Sequence, residues 1–216
     1  MNAKILCAFS LLLLLTGCNP MNTASENAAS PHADAHGDPV YRKNPHPTQA
    51  YRITMMIEDA PGPFGFVDAA AVYQMSNYEQ CTPGEPLEGV WTKRKDDHIP
   101  AAFAKVDANT YVTTIYTDGM VDADYYGQGI CHWRINGIVI GLKATGKQQE
   151  TNFSPSLERP EIIESRSKVT YFWKGRYPKE DMDDFQDVGQ RDAEDFDEEA
   201  RKNLFKVTLK AERVVP

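Results

Sequence analysis

At 216 residues the chain is long enough for one ordinary domain with additional segments. Its 31 aspartates and glutamates outnumber its 23 lysines and arginines, for a net charge of −8. That balance argues against nucleic acid as a partner, because phosphate binding rests on basic patches, and against adsorption to anionic lipid through a polybasic surface. An acidic chain suits a basic partner instead.

The start of the chain reads as a targeting signal. Lys4 precedes an almost wholly apolar run over residues 5–15, which is too short to span a bilayer as a stable helix. Leu15-Thr16-Gly17-Cys18 resembles the lipobox of bacterial lipoproteins, which implies cleavage before Cys18 and lipidation of that residue. An ordinary signal peptide with a chance cysteine is the plain alternative. Loss of residues 1–17 removes Lys4 and no acid, so the charge moves from −8 to −9. Residues 18–49 are rich in Asn, Ser, Ala, Pro and His without periodicity, and a lipidated flexible tether is expected there. Its His32, His36 and His46 read as solvated side chains rather than metal ligands.

A folded domain is expected over residues 50–216. Residues 51–57 alternate and predict a first strand, and 67–75 predict a second with small apolar residues. Residues 77–87 hold Cys81 and two prolines and read as a loop. Residues 90–92 suggest a short strand, 98–106 a weak one, and 107–109 a turn. Residues 110–116 are almost all β-branched or aromatic, with Tyr111, Thr113 and Ile115 on one face. An acidic loop over 118–124 leads to a turn marked by Gly127 and Gly129.

The long stretch that follows, to Lys143, reads as a central strand, half buried at first and fully buried later. Cys131 and Trp133 share one of its faces. Residues 151–154 suggest a short edge, 157–164 an irregular segment, and 168–174 and 204–211 clear strands. About eight strands with little helix predict an all-β antiparallel sandwich, immunoglobulin-like or transthyretin-like, with an acidic insertion before the last strand.

Of the four cysteines, Cys7 leaves with the signal and Cys18 takes lipid. Cys81 and Cys131 are then expected to pair in an oxidising compartment, closing a 50-residue loop. Two buried free thiols are the alternative.

No catalytic signature is present: no Gly-x-Ser-x-Gly, no His-Glu-x-x-His and no phosphate-cradling Gly-x-x-x-x-Gly-Lys. Cys131 and His132 are neighbours on a strand and point apart, which does not suit a nucleophile pair. The expectation is a protein that is not an enzyme and requires no cofactor or metal. The acidic segment over residues 179–201 leaves three readings open: a solvated loop, a Ca²⁺ site built from hard oxygens, or a recognition surface for a basic protein. The candidate partner-binding residues are Asp183, Asp184, Asp187, Asp192, Asp195 and Asp197, with Tyr125 and Tyr126 as aromatics that are either core or interface.

The run Asp124-Tyr125-Tyr126-Gly127-Gln128-Gly129-Ile130-Cys131-His132-Trp133, together with the Asp-rich segment and Leu204-Phe205-Lys206-Val207, resembles small lipoproteins of Gram-negative bacteria. Some of these are similar to immunity proteins encoded beside toxins of type VI or bacteria-killing type IV secretion systems. The resemblance covers residues 50–213 and carries over no toxin-contact residue. It implies a periplasmic inhibitor that caps an incoming toxin such as a lipase or peptidoglycan hydrolase. Asn19 after the lipidated cysteine resembles an outer-membrane sorting signal, with the domain facing the periplasm. A structural or assembly lipoprotein of the envelope is the alternative from another class.

Overall fold

Alternation of apolar and polar residues sets the strands. The computed structural model describes residues 39–84 and 92–215. The lipidation site Cys18, the signal segment and most of the expected tether lie outside the described residues, as do Val90 and Trp91 of the expected short strand.

In chain order the elements are β1 (Ala50–Glu58), β2 (Phe66–Met75), the short helix α1 (Tyr78–Cys81), β3 (Asp96–Pro100), β4 (Ala104–Lys105), β5 (Thr110–Tyr116) and β6 (Trp133–Lys143). There follow β7 (Asn152–Phe153), β8 (Ser156–Glu158), the helix α2 (Arg159–Ile163), β9 (Ser167–Trp173), β10 (Gln186–Asp187), the helix α3 (Glu198–Arg201) and β11 (Leu204–Arg213). They form two sheets, ordered β4-β5-β1-β11-β9 and β10-β7-β6-β2-β3, with β8 also on β6. Every pairing is antiparallel except β10 with β7, which is parallel.

The buried faces meet as a sandwich-like core. In β1, Tyr51, Ile53, Met55 and Ile57 are buried; in β11, Phe205, Val207, Leu209 and Ala211 are. The other sheet contributes Ala71, Tyr73, Ile138, Ile140 and Leu142. Aromatic rings lock the two faces together. Phe153 of β7 lies 5.5 Å from Phe172 of β9 and 5.2 Å from Phe205 of β11, both edge to face, and Phe64 joins them at 5.8 Å. Edge-to-face pairs add to the burial of the rings themselves.

β6 corrects the expectation of a strand fully buried in its second half. Its register against β2 shifts at Val72/Tyr73, so one residue of β6 is extra there. Ile135 faces the core before the bulge, and Ile138, Ile140 and Leu142 face it after. Val139 is 43% exposed. Beyond the bulge simple alternation resumes, with Ile138, Ile140 and Leu142 inward, so Val139 in the middle of the apolar run faces outward.

The expected weak strand over 98–106 is divided between the two sheets. β3 pairs with β2, β4 pairs with β5, and residues 101–103 cross between them. Pro100 closes β3, an edge position where a missing N–H costs no ladder bond. The segment 157–164, expected to be irregular, forms β8 and α2. Pro160 sits in the first turn of α2, where proline is tolerated, and Ile162 is fully buried.

Cys81 and Cys131 form a disulfide. Both are buried, and the bridge ties α1 to the chain entering β6. Asn77 braces the same junction: its side-chain amide donates to Ile130 O at 2.8 Å and its carbonyl accepts from His132 N at 2.7 Å. The chain also packs earlier than expected. Tyr41 is buried, meeting Trp133 at 4.9 Å and Tyr125 at 5.2 Å, so residues 39–49 belong to the packed body and not to the tether. Asp118 secures this segment, accepting hydrogen bonds from Thr48 N at 2.9 Å, Thr48 Oγ1 at 3.1 Å and Gln49 N at 3.0 Å.

Replacing Cys81 and Cys131 together by alanine should lower the free energy of unfolding by about 4 kcal/mol, the chain-entropy value for a 50-residue loop, measured by urea titration. A loss under about 1 kcal/mol would show that the bridge does not restrain the unfolded chain. A second expectation concerns acid. Burial pushes the Asp118 carboxyl up, but the bonds from Thr48 and Gln49 outweigh it and hold the group below its ordinary 3.8. A depressed carboxylate contributes stability that is present above the unfolded value and fades as pH falls through the folded one. The protection factors of the Thr48 and Gln49 amides, in which the intrinsic pH dependence of exchange is divided out, should therefore fall on acidification below the ordinary carboxylate range. In Asp118→Ala, which removes both acceptors, the two amides should have low protection factors at every pH. Unchanged protection in that variant would refute the clamp.

Candidate functional site

The connection from β9 to β11 carries most of the acidic residues picked out from sequence. Residues 179–201 hold eleven carboxylates against three cations. Their net of −8 equals the net charge of the whole chain, so the remainder of the molecule is balanced.

This segment is built onto the two sheets along one side. Asn152 N donates to Phe185 O at 2.8 Å and Ser154 N to Asp187 O at 2.7 Å, which places β10 beside β7. Three residues on, Gln190 and Tyr171 of β9 exchange backbone hydrogen bonds of 2.8 and 2.9 Å. The segment thus passes from the edge of one sheet to the edge of the other. Gly189 turns between them with a φ of 66°, and a Cβ there would lie 2.5 Å from Thr170 Cγ2 and 2.6 Å from Tyr171 O. Only glycine meets both demands.

Arg176 anchors the root. Its guanidinium lies 3.1 Å from Asp187 Oδ2 and 3.2 Å from Glu180 Oε2, 5.0 Å from the centre of the Phe185 ring and 6.0 Å from that of Trp173. The Asp187 side chain is only 5% exposed, and its other oxygen accepts from Gly189 N at 2.9 Å. A carboxylate so buried needs both partners.

The structure therefore separates the candidate residues by role. Asp187 is a buried structural ion partner. Asp197 is exposed and caps α3, accepting from Ala200 N at 2.8 Å. Asp183 pairs with Lys179 and Asp184 with Lys143, each at 2.9 Å, and both acids remain exposed. Asp192 and Asp195 are exposed and form no ion pair among the described residues. Within the same segment Met182 is 61% exposed and Val188 68% exposed. Apolar side chains standing in a field of carboxylates give a contact surface both charge and something to bury. Nothing in the composition of the segment singled these two out. Arg176 also went unnoticed, although a cation followed by acids at four and eleven residues, with aromatics on both sides, is a visible signal.

The tyrosines are not part of this surface. Tyr125 is buried against Tyr41 and Trp133, with its hydroxyl donating to Val121 O at 2.6 Å. Tyr126 is half-buried, and its hydroxyl is 2.6 Å from that of Tyr41. They sit where β6 begins, whereas the acidic segment joins the sheet near Leu142, which pairs with Phe153. Nine residues of strand at about 3.3 Å each separate the two regions by roughly 30 Å. Asp124 is structural too: it accepts from the amides of Tyr126, Gly127 and Gln128, which sets the turn in which Gly127 and Gly129 have positive φ.

Cys131 and His132 do not meet as a nucleophile pair, since the cysteine is bonded to Cys81 and His132 Nδ1 lies 2.7 Å from Asp122 Oδ2. Among the described residues no three His, Cys, Asp or Glu side chains converge as metal ligands. Glu180 and Asp187 are turned to Arg176, Asp183 to Lys179 and Asp184 to Lys143 instead.

Asp187→Ala should strand Arg176 and the Gly189 amide and release β10. The expected cost is about 2 kcal/mol, below that of a wholly buried broken pair because Arg176 keeps 32% of its side chain in solvent. Hydrogen exchange should rise at residues 186–190 while β1 and β11 stay protected. Undiminished protection at 186–190 would show that the ion pair does not hold the segment.

Comparison with protein-family models, with curated proteins and with solved structures finds no match to the chain.

Proposed function

We propose that this chain is a lipid-anchored binding module of the immunity type, which holds and neutralises a secreted antibacterial toxin whose contact surface is basic. In this reading Cys18 carries the lipid, the anchor is in the outer membrane, and the folded part faces the periplasm. The body is an immunoglobulin-like or transthyretin-like sandwich with an acidic insertion ahead of β11. It acts by binding, with no chemistry of its own.

The observation that carries the reading is the acidic segment pinned along the side of the sandwich. Its root is buried, its outer carboxylates are exposed, and Met182 and Val188 stand among them. Charge concentrated on one side accelerates encounter with an oppositely charged partner, and apolar side chains within it then exclude water. The lysine partner of Asp183 is exchangeable: a cation from a partner can replace Lys179 at little cost, since exposed pairs are worth about 0–1 kcal/mol, whereas Lys143, with only 11% of its side chain in solvent, holds Asp184 more firmly. The bridge between Cys81 and Cys131 suits a compartment where thiols oxidise.

Cells lacking the gene should be killed by siblings that deliver the toxin. A chromosomal copy with Asp183, Asp184, Asp192, Asp195 and Asp197 changed to asparagine should protect them poorly, with toxin association slowed about tenfold at low salt. Unchanged survival of the deletion strain in that competition would reject the proposal.

A further inference from the structure

On the side of the sandwich away from the acidic segment, the two sheets part between β5 and β3 and leave a groove of about 270 Å³. Its walls are apolar: Ala71, Tyr73, Ile99, Ala101 and Tyr116 among them. The polar groups of the wall are largely spoken for. Tyr73 Oη donates to Tyr116 O at 2.5 Å. Asn44 Nδ2 donates to Asp118 O at 2.8 Å, and its Oδ1 accepts from His46 N at 3.0 Å. Lys43 is the single charged residue of the lining. It is exposed and makes no ion pair among the described residues.

An apolar cleft with one unpaired ammonium in its lining is complementary to one kind of molecule, a short aliphatic tail ending in a carboxylate. We propose that this groove binds an aliphatic carboxylate of medium chain length, with the tail between β5 and β3 and the carboxylate at Lys43. A groove of this size has room for a tail of several methylene groups. The sign of the charge sets the head group: an amine would meet Lys43 unfavourably, and an alcohol would leave it unpaired. This site is independent of the acidic segment, because different strands and the opposite edges of both sheets form it.

Calorimetric titration of the full chain with decanoate, kept below its micelle-forming concentration, tests the proposal. Saturable binding with one site per chain is expected. Affinity should rise about fourfold for each methylene from hexanoate to decanoate, the ratio that corresponds to burying one such group. Lys43→Glu, at an exposed position that leaves the core intact, should weaken decanoate at least tenfold and make decylammonium the better ligand. Ala101→Phe, which fills the groove from its half-buried rim, should abolish binding of both, and its urea midpoint shows whether it has folded. No saturable binding to the unmodified chain would overturn the proposal. So would equal affinity for decanoate and decylammonium, or equal binding by the unmodified chain and the folded Lys43→Glu protein, each of which marks unspecific adsorption.

Discussion

In β1, Tyr51, Ile53, Met55 and Ile57 turn to the seam between the sheets while Arg52 and Met56 turn to solvent, and a slip of one residue would exchange the two sets. β1 is paired on both sides, with β5 and with β11, and the same phase is imposed on each. Tyr111, Thr113 and Ile115 of β5 and Val207 and Leu209 of β11 are buried as a consequence. The opposing sheet answers with β2 and β6, whose bulge moves β6 into phase midway along its length. Once the phase is set, Phe153, Phe172, Phe205 and Phe64 fill one end of the seam. At the other end, the disulfide and the cluster of Tyr41, Tyr125 and Trp133 do so.

The acids of this chain divide between two kinds of work according to whether the fold offers their oxygens partners. Asp118, Asp124 and Asp187 spend their oxygens on backbone amides or on Arg176, and so fix the 44–49 segment, the glycine turn and the root of the acidic segment. Asp192 and Asp195 face solvent and fix nothing by ion pairing among the described residues. The segment that carries them also covers sheet edges that would otherwise present unpaired strand groups. β10 lies on β7 and Gln190 bonds to Tyr171 of β9. Edge protection and charge display thus come from one stretch of chain. On the opposite side, among the described residues, only the two-residue β4 lies on the outer edge of β5, at Tyr111 and Val112, and beyond it the sheets part into the groove that Lys43 lines.

The strands at 51–57, 110–116 and 204–211 were legible because alternation is a local property and survives in the finished sheet. The same local reading missed whatever depended on distant residues. Residues 39–49 look like tether because their composition is polar, yet Asp118, some seventy residues away, holds Thr48 and Gln49. Residues 98–106 look like one strand, because nothing local says that Ala101 bonds to Ala69 and that the chain then leaves for the other sheet. The division of the aspartates was invisible for a similar reason. Asp187 and Asp184 are alike in sequence, and only the position of Arg176 between Phe185 and Trp173 buries one of them. The pairing of Cys81 with Cys131 was legible by elimination among four cysteines, given the signal and lipid assignments to the other two.

The functional reading joins a rigid, bridged scaffold to a negative field concentrated on one of its sides. Its central claim is tested most directly by affinity capture from periplasmic extract, comparing the full chain with the chain in which Asp183, Asp184, Asp192, Asp195 and Asp197 are asparagine. The account predicts one basic protein retained at low salt by the first, eluted by raising the salt, and not retained by the second. Equal retention by both chains, or retention that salt does not weaken, would contradict it.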